Sequence, residues 1–115
     1  MNELKNIKTR IHRFSEERDW KQFHSAKNLS MALSVEASEI VEHFQWLTEE
    51  QSDNLSATDL ARVETELADT FVYLLQLSER LNIDLLDAAD RKMDLNEVKY
   101  PVDKAKGNAR KYTDL

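Results

Sequence analysis

The sequence predicts an all-α fold, an antiparallel four-helix bundle, and three observations carry that reading. One Gly and one Pro in 115 residues leave little vocabulary for strands and tight turns. Apolar residues recur at three- and four-residue steps through successive segments, which is the period of a helix. A composition of 41% hydrophobic and 33% charged residues suits a helical core with wet outer faces.

The first helix is expected over residues 2–18, where Leu4, Ile7, Ile11 and Phe14 form one stripe. RDWKQFHSAKN follows, dense in aromatic and cationic side chains, and reads as a connecting loop. Loops held by rigid helices often carry function. The second helix starts at Ser25 as N-cap and runs to 46 or 47. A polar link, TEEQSDNLSATD, leads to Ser56, which stands three residues before Asp59 in a capping-box-like start. The third helix then continues to about residue 81. Asn82 and Ile83 turn the chain, Asp84 caps the fourth helix over 85–98, and Pro101 ends it, because the residue before proline is pushed out of the helical region. The tail from about 101 to 115 is basic and is expected to be extended.

Length makes residues 1–115 a single domain. A net charge of −6 and a pI near 5.1 argue against a nucleic-acid-coating surface, which needs clustered Lys and Arg. The absence of Cys excludes disulfides, thiolate catalysis and Cys-based zinc sites. MNELKNIKTR has no apolar targeting core and no run reaches membrane-spanning length, so the expectation is a cytoplasmic protein with no membrane partner.

Acidic residues three apart occur eight times, so spacing alone selects nothing. Helical phase does. At about 100° per residue, Glu36 falls within an apolar arc of Leu29, Leu33, Ala37, Ile40, Phe44 and Leu47, with Glu39 and His43 on its shoulder. Met31, Val35 and Trp46 add a second apolar strip, leaving mainly serines and Gln45 as the polar side. In the third helix Val63, Leu67, Phe71, Leu74, Leu75 and Leu81 make the arc. Glu66, Asp69 and Tyr73 share a narrow strip with Arg62, Gln76 and Arg80. Carboxylates in apolar company lose several kcal/mol or more unless paired, protonated or metal-bound. Oxygen-only donors favour a hard cation such as Mg²⁺ or Mn²⁺ over zinc.

Glu-x-x-Glu followed, after 26 residues, by Glu-x-x-Asp on the next helix resembles the MazG-type all-α nucleoside triphosphate pyrophosphohydrolases. RDWKQFH, the following KNL, FQW, ELADTFVYL, RKMDLNEVKYPV and a later G-N-A-R-KY extend the likeness to the dCTP pyrophosphatase subgroup over about residues 10 to 113. Six motifs in order are specific. Two departures stand out: Ser25 occupies a position that is often proline, and Ser34, Ala37 and Ser38 lie where relatives often show glycines.

The resemblance implies Mg²⁺-dependent hydrolysis of a (deoxy)nucleoside triphosphate, dCTP or a related modified nucleotide, to the monophosphate and pyrophosphate, a house-cleaning of the nucleotide pool. By it Glu36, Glu39, Glu66 and Asp69 are metal ligands and the catalytic carboxylates, with the general base among them left open. Lys92 and Asn96 contact phosphate, with help from Lys99, Arg110 and Lys111. Trp20, Phe23, His24, Trp46 and Tyr73 form the aromatic base pocket. His12 and His43 have no defensible functional partner. The family also implies a homotetramer assembled as a dimer of dimers. Sequence physics independently expects at least a dimer, because the second helix has more apolar surface than one small bundle covers. Two other readings compete: a di-iron carboxylate bundle, which fails because no His follows a Glu at the required spacing, and a non-enzymatic helical adaptor whose acids hold a structural cation.

Overall fold

A computed structural model describes residues 2–115, and every regular element among them is a helix. The chain divides into two compact units, one ending at Asn82 and one spanning Ile83–Leu115. The first holds α1 (Glu3–Glu17), a 3-10 turn (Lys21–Phe23), α2 (Ala26–Phe44), α3 (Glu49–Ser52) and α4 (Ala57–Arg80). The second holds α5 (Leu85–Lys99), α6 (Val102–Ala105) and a 3-10 turn (Tyr112–Asp114).

Short polar side chains start the long helices as the sequence predicts. Ser25 Oγ accepts from the Asn28 N–H at 3.1 Å, Ser56 Oγ from Asp59 at 3.2 Å, and Asp84 Oδ1 from Asp87 at 3.1 Å. Each satisfies one of the orphan donors of a first helical turn. Asn82, just past the Leu81 cap of α4, takes φ 55, a left-handed conformation that Asn tolerates.

Two expectations are corrected. The polar link after α2 is not all loop, because Thr48 and Gln51 form a reciprocal capping box that nucleates α3. The tail is not simply extended: Pro101 precedes a helical turn, α6, and residues 112–114 form a 3-10 turn. Proline is well placed ahead of a helix, since its missing N–H is not needed there. The aromatic loop ends at the Ser25 cap as expected and contains a 3-10 turn over Lys21–Phe23. Asp19 turns the chain at φ 53, Gln22 Nε2 donates to the Asp19 backbone carbonyl at 3.1 Å and to Asp19 Oδ2 at 3.0 Å, and Asn28 Nδ2 donates to the Phe23 carbonyl at 2.9 Å.

Within the first unit α2 packs chiefly on α4, and α1 lies on α4 as well. Leu29 and Leu75 line the same cavity, while Glu36 and Glu39 meet Glu66, so residue numbers run in opposite senses and α2 is antiparallel to α4. Lys8 pairs with Glu79, and Ser15 with Gln76, which makes α1 antiparallel to α4 too. Leu29, Val63 and Leu75 are the buried apolar side chains among the described residues. Much of what the sequence marks as apolar faces outward: Met31 and Val35 of the second strip on α2, and Leu67, Phe71 and Leu74 of the arc on α4, are exposed, as are Val41 and Leu60.

Candidate metal centre

Glu36 and Glu39 stand one turn apart on α2, and antiparallel packing brings Glu66 of α4 level with them. One carboxylate oxygen from each lies within 4.8 Å of the other two, and all three residues are half-buried. The Oε2 atoms of Glu36 and Glu66 are buried and have no hydrogen-bond partner. Buried acceptors left this way cost about 1–3 kcal/mol each, and more when charged.

Protonation is the metal-free answer to that cost. Glu36 is pushed up from an ordinary 4.5 to about 7, first by burial, then by the hydrogen bond and charge of Glu39, then by the charge of Asp69. Glu66 is raised as well, first through its hydrogen bond with Glu39 and then by burial. A proton shared among these carboxyls gives the oxygens a partner that carboxylates alone do not have. A divalent cation would serve the same end, and the donor set is all oxygen. Asp69, exposed and one turn beyond Glu66, lies outside the 4.8 Å group, though its charge reaches both Glu36 and Glu66.

Three of the aromatic candidates, Trp20, Phe23 and His24, lie on the loop after α1. Trp20 packs edge-on against Phe14 at 5.5 Å and against His24 at 6.4 Å, while the Arg18 guanidinium lies 3.7 Å over the Phe14 ring. Tyr73 is half-buried on α4; Phe23 is exposed, and Trp46 is 87% exposed just past α2. A cavity of about 300 Å³ opens between α1, this loop, the start of α2 and the second half of α4. Of the five predicted base-pocket residues, His24 lines it. Its walls also contain a polar pair that the sequence alone does not single out, Ser15 and Gln76, joined at 3.1 Å. Two signals for it exist: Ser15 extends the Ile7 and Ile11 stripe by one step, and Gln76 shares the strip of Glu66, Asp69 and Tyr73.

The predicted phosphate contacts fall in the second unit. Lys92 is exposed and Asn96 half-buried on α5, one turn apart. Lys99 Nζ sits 4.8 Å over the Tyr112 ring, which packs edge-on against Tyr100 at 6.0 Å. Arg110 and Lys111 are exposed beyond Gly107, whose φ of 82 suits glycine, and the Arg110 N–H donates to Asn108 Oδ1.

Comparison with known proteins gives a consistent outcome. A model of the MazG-like family matches residues 31–115. Over 114 residues the chain is 41% identical to dCTP pyrophosphatase 1 of Bos taurus, spanning 97% of this chain and 68% of that protein. The Homo sapiens dCTP pyrophosphatase 1 is 40% identical over the same length, with 97% and 67% covered. Among solved structures, a pyrophosphatase from Archaeoglobus fulgidus DSM 4304 superposes with a TM-score of 0.84 at 32% identity, covering 88% of this chain and 94% of that one.

Proposed function

The chain belongs to the MazG-like family and is a nucleoside triphosphate pyrophosphohydrolase, and on that premise we propose that it clears dCTP, or a related modified deoxynucleotide, from the nucleotide pool. Hydrolysis yields the monophosphate and pyrophosphate. We assign metal binding to Glu36, Glu39, Glu66 and Asp69, with Mg²⁺ as the physiological ion and Mn²⁺ as a substitute. The observation that carries the assignment is the pair of buried, unpartnered Oε2 atoms on facing helices. The oxygen donors fit a hard divalent ion.

When bound, such an ion neutralises triphosphate charge and makes attacking water more acidic. The chain's own residues do the rest. Water oxygen bonds to the α-phosphorus, the bond to the bridging oxygen breaks with its electron pair leaving on pyrophosphate, and the water proton passes to a carboxylate of the cluster. Lys92 and Asn96, with Lys99, Arg110 and Lys111, hold phosphate oxygens by charge-assisted hydrogen bonds. Trp20, Phe23, His24, Trp46 and Tyr73 surround the base. Aromatic stacking contributes about 1–3 kcal/mol per base.

We further propose that residues 1–115 act as one domain of a four-helix bundle and assemble as a homotetramer, a dimer of dimers. Support comes from the outward-facing apolar side chains of α2 and α4, from Met31 to Leu74. Faces of that kind mark association surfaces. We propose a cytoplasmic location, in keeping with a free nucleotide as substrate. Family membership removes the reason to prefer a non-enzymatic adaptor.

A panel of deoxynucleotides with pyrophosphate detection tests the function. Release of pyrophosphate from dCTP or 5-modified dCTP in Mg²⁺, abolished by Glu39→Gln or Asp69→Asn, is the expected result. No turnover by wild-type protein on the whole panel overturns it.

A further inference from the structure

We infer that Gln76, held in place by Ser15, is a specificity-determining residue that selects a base bearing an exocyclic amino group, cytosine over uracil or thymine. The inference rests on the dNTP reading above and concerns the far end of the same helix pair.

The cavity of about 300 Å³ has an apolar part in Ile11, Leu29 and Leu75, but most of its lining is polar, with charged side chains from α1, the loop and α4 standing beside Ser15, His24 and Gln76. Lys8 and Glu79 of that lining are taken up in an ion pair with each other, and the hydrogen-bonded Ser15 and Gln76 pair is a fixed neutral polar feature of the kind that sets orientation and choice in a small-molecule pocket. Ser15 is 4% exposed, which is unusual for a serine with no cap or turn to make. Its hydroxyl accepts from Gln76 Nε2 at 3.1 Å and so ties α1 to α4 across 61 positions of sequence.

That bond uses one of the two N–H donors of the carboxamide. Oε1 and the second N–H stay side by side, an acceptor next to a donor. The edge of cytosine offers the complement, an amino N–H beside the N3 acceptor. Uracil and thymine offer a carbonyl beside an N–H, so both pairs would meet like against like. Turning the amide over to suit a keto base requires the Ser15 hydroxyl to change from acceptor to donor as well. Selection by a fixed carboxamide is therefore stricter than selection by a free one.

Register supports the placement. Gln76 lies two helical turns beyond Asp69 on the strip that carries Glu66 and Tyr73, or about 10 Å along the axis at ~1.5 Å per residue. That is comparable to the reach from a nucleotide's α-phosphate across the sugar to the far edge of its base. His24, which the family resemblance assigns to the base, lines the same cavity.

The test measures kcat/KM for dCTP, dUTP and the triphosphate of 2-pyrimidinone deoxyriboside, which is cytosine without its amino group. Wild-type protein is expected to favour dCTP over both by about 10- to 100-fold, the scale of one buried polar mismatch. Gln76→Leu is expected to bring all three substrates within about threefold of one another, and Ser15→Ala to erode the preference by a few fold. Removing the amino group and removing the amide should cost the same, and the two changes together no more than either alone. Equal use of dCTP and the 2-pyrimidinone triphosphate by wild-type protein overturns the inference without needing any variant. A Gln76→Leu protein that loses dCTP and dUTP turnover in equal proportion overturns it too, since a packing role moves both. A wild type inactive on every dNTP instead sinks the underlying function, and the inference with it.

Discussion

The two ends of the α2 and α4 pair are built to opposite rules. Around Leu29 and Leu75, each 2% exposed, polar side chains that share their cavity are partnered, Ser15 with Gln76 by a hydrogen bond and Lys8 with Glu79 by an ion pair. About two turns away, Glu36, Glu39 and Glu66 crowd together with two buried oxygens unpartnered. The first end holds the helices in place; the second is held there by the first, against its own repulsion. Frustration confined to one end of an otherwise consistent helix pair marks a functional site.

The largest expected effects separate the two ends by what they damage. Glu39→Gln should lower kcat by at least ~100-fold, the loss typical of removing one preorganised electrostatic group. Without metal, the same change should leave the melting temperature unchanged or raise it, because it removes a repelling charge. Leu75→Ala should do the reverse in kind, costing about 2–5 kcal/mol of stability through lost burial and a cavity. Thermal melts in EDTA alongside pyrophosphate release decide both. A Glu39→Gln protein that is inactive only because it is unfolded would break the distinction.

A smaller effect follows from the raised carboxyls. Glu36 takes up its proton near pH 7 in the folded state against an ordinary 4.5, so between those values the folded chain binds more protons than the unfolded one. Stability is therefore fully present below pH 4.5 as far as this group is concerned, and falls as pH rises toward 7. Metal-free melting temperature should decline across that window. Saturating Mg²⁺ should offset the decline above it, by about 2.7 kcal/mol at a hundredfold excess over Kd. Melts at pH 5, 6, 7 and 8 with EDTA or Mg²⁺ check this, and Glu36→Gln should flatten the EDTA curve.

How far the sequence already showed this depends on which question is asked. Helix positions were legible because period, caps at Ser25, Ser56 and Asp84, and Pro101 all agree. The four-residue α3 and α6 were not, since one turn carries no periodicity and rests on cap geometry alone. Phase also picked out Glu36 with Glu39 and Glu66 with Asp69, of which packing brings the first three together and leaves Asp69 outside the close group. It could not say which apolar face meets which partner: Leu67, Phe71 and Leu74 read as an inner arc yet are exposed in the chain. An amphipathic pattern records that a face is covered, by its own chain or by another. Gln76 stayed silent for a related reason, because its partner Ser15 lies 61 residues away and only packing brings the two together.

The smallest expected effect is the control that isolates burial from spacing. Glu50 and Asp53 repeat the three-residue acidic step of Glu36 and Glu39, but both are exposed around the short α3. Water already solvates those carboxylates, so nothing there asks for a cation. Replacing both by Gln and Asn should change stability by no more than about 0.5 kcal/mol, as for most surface positions. The rise in melting temperature with Mg²⁺ should be the same as in the unaltered protein. If removing this wet pair weakens Mg²⁺ binding as much as Glu36→Gln does, general acidity draws the ion in, and the buried oxygens of α2 and α4 lose their special claim.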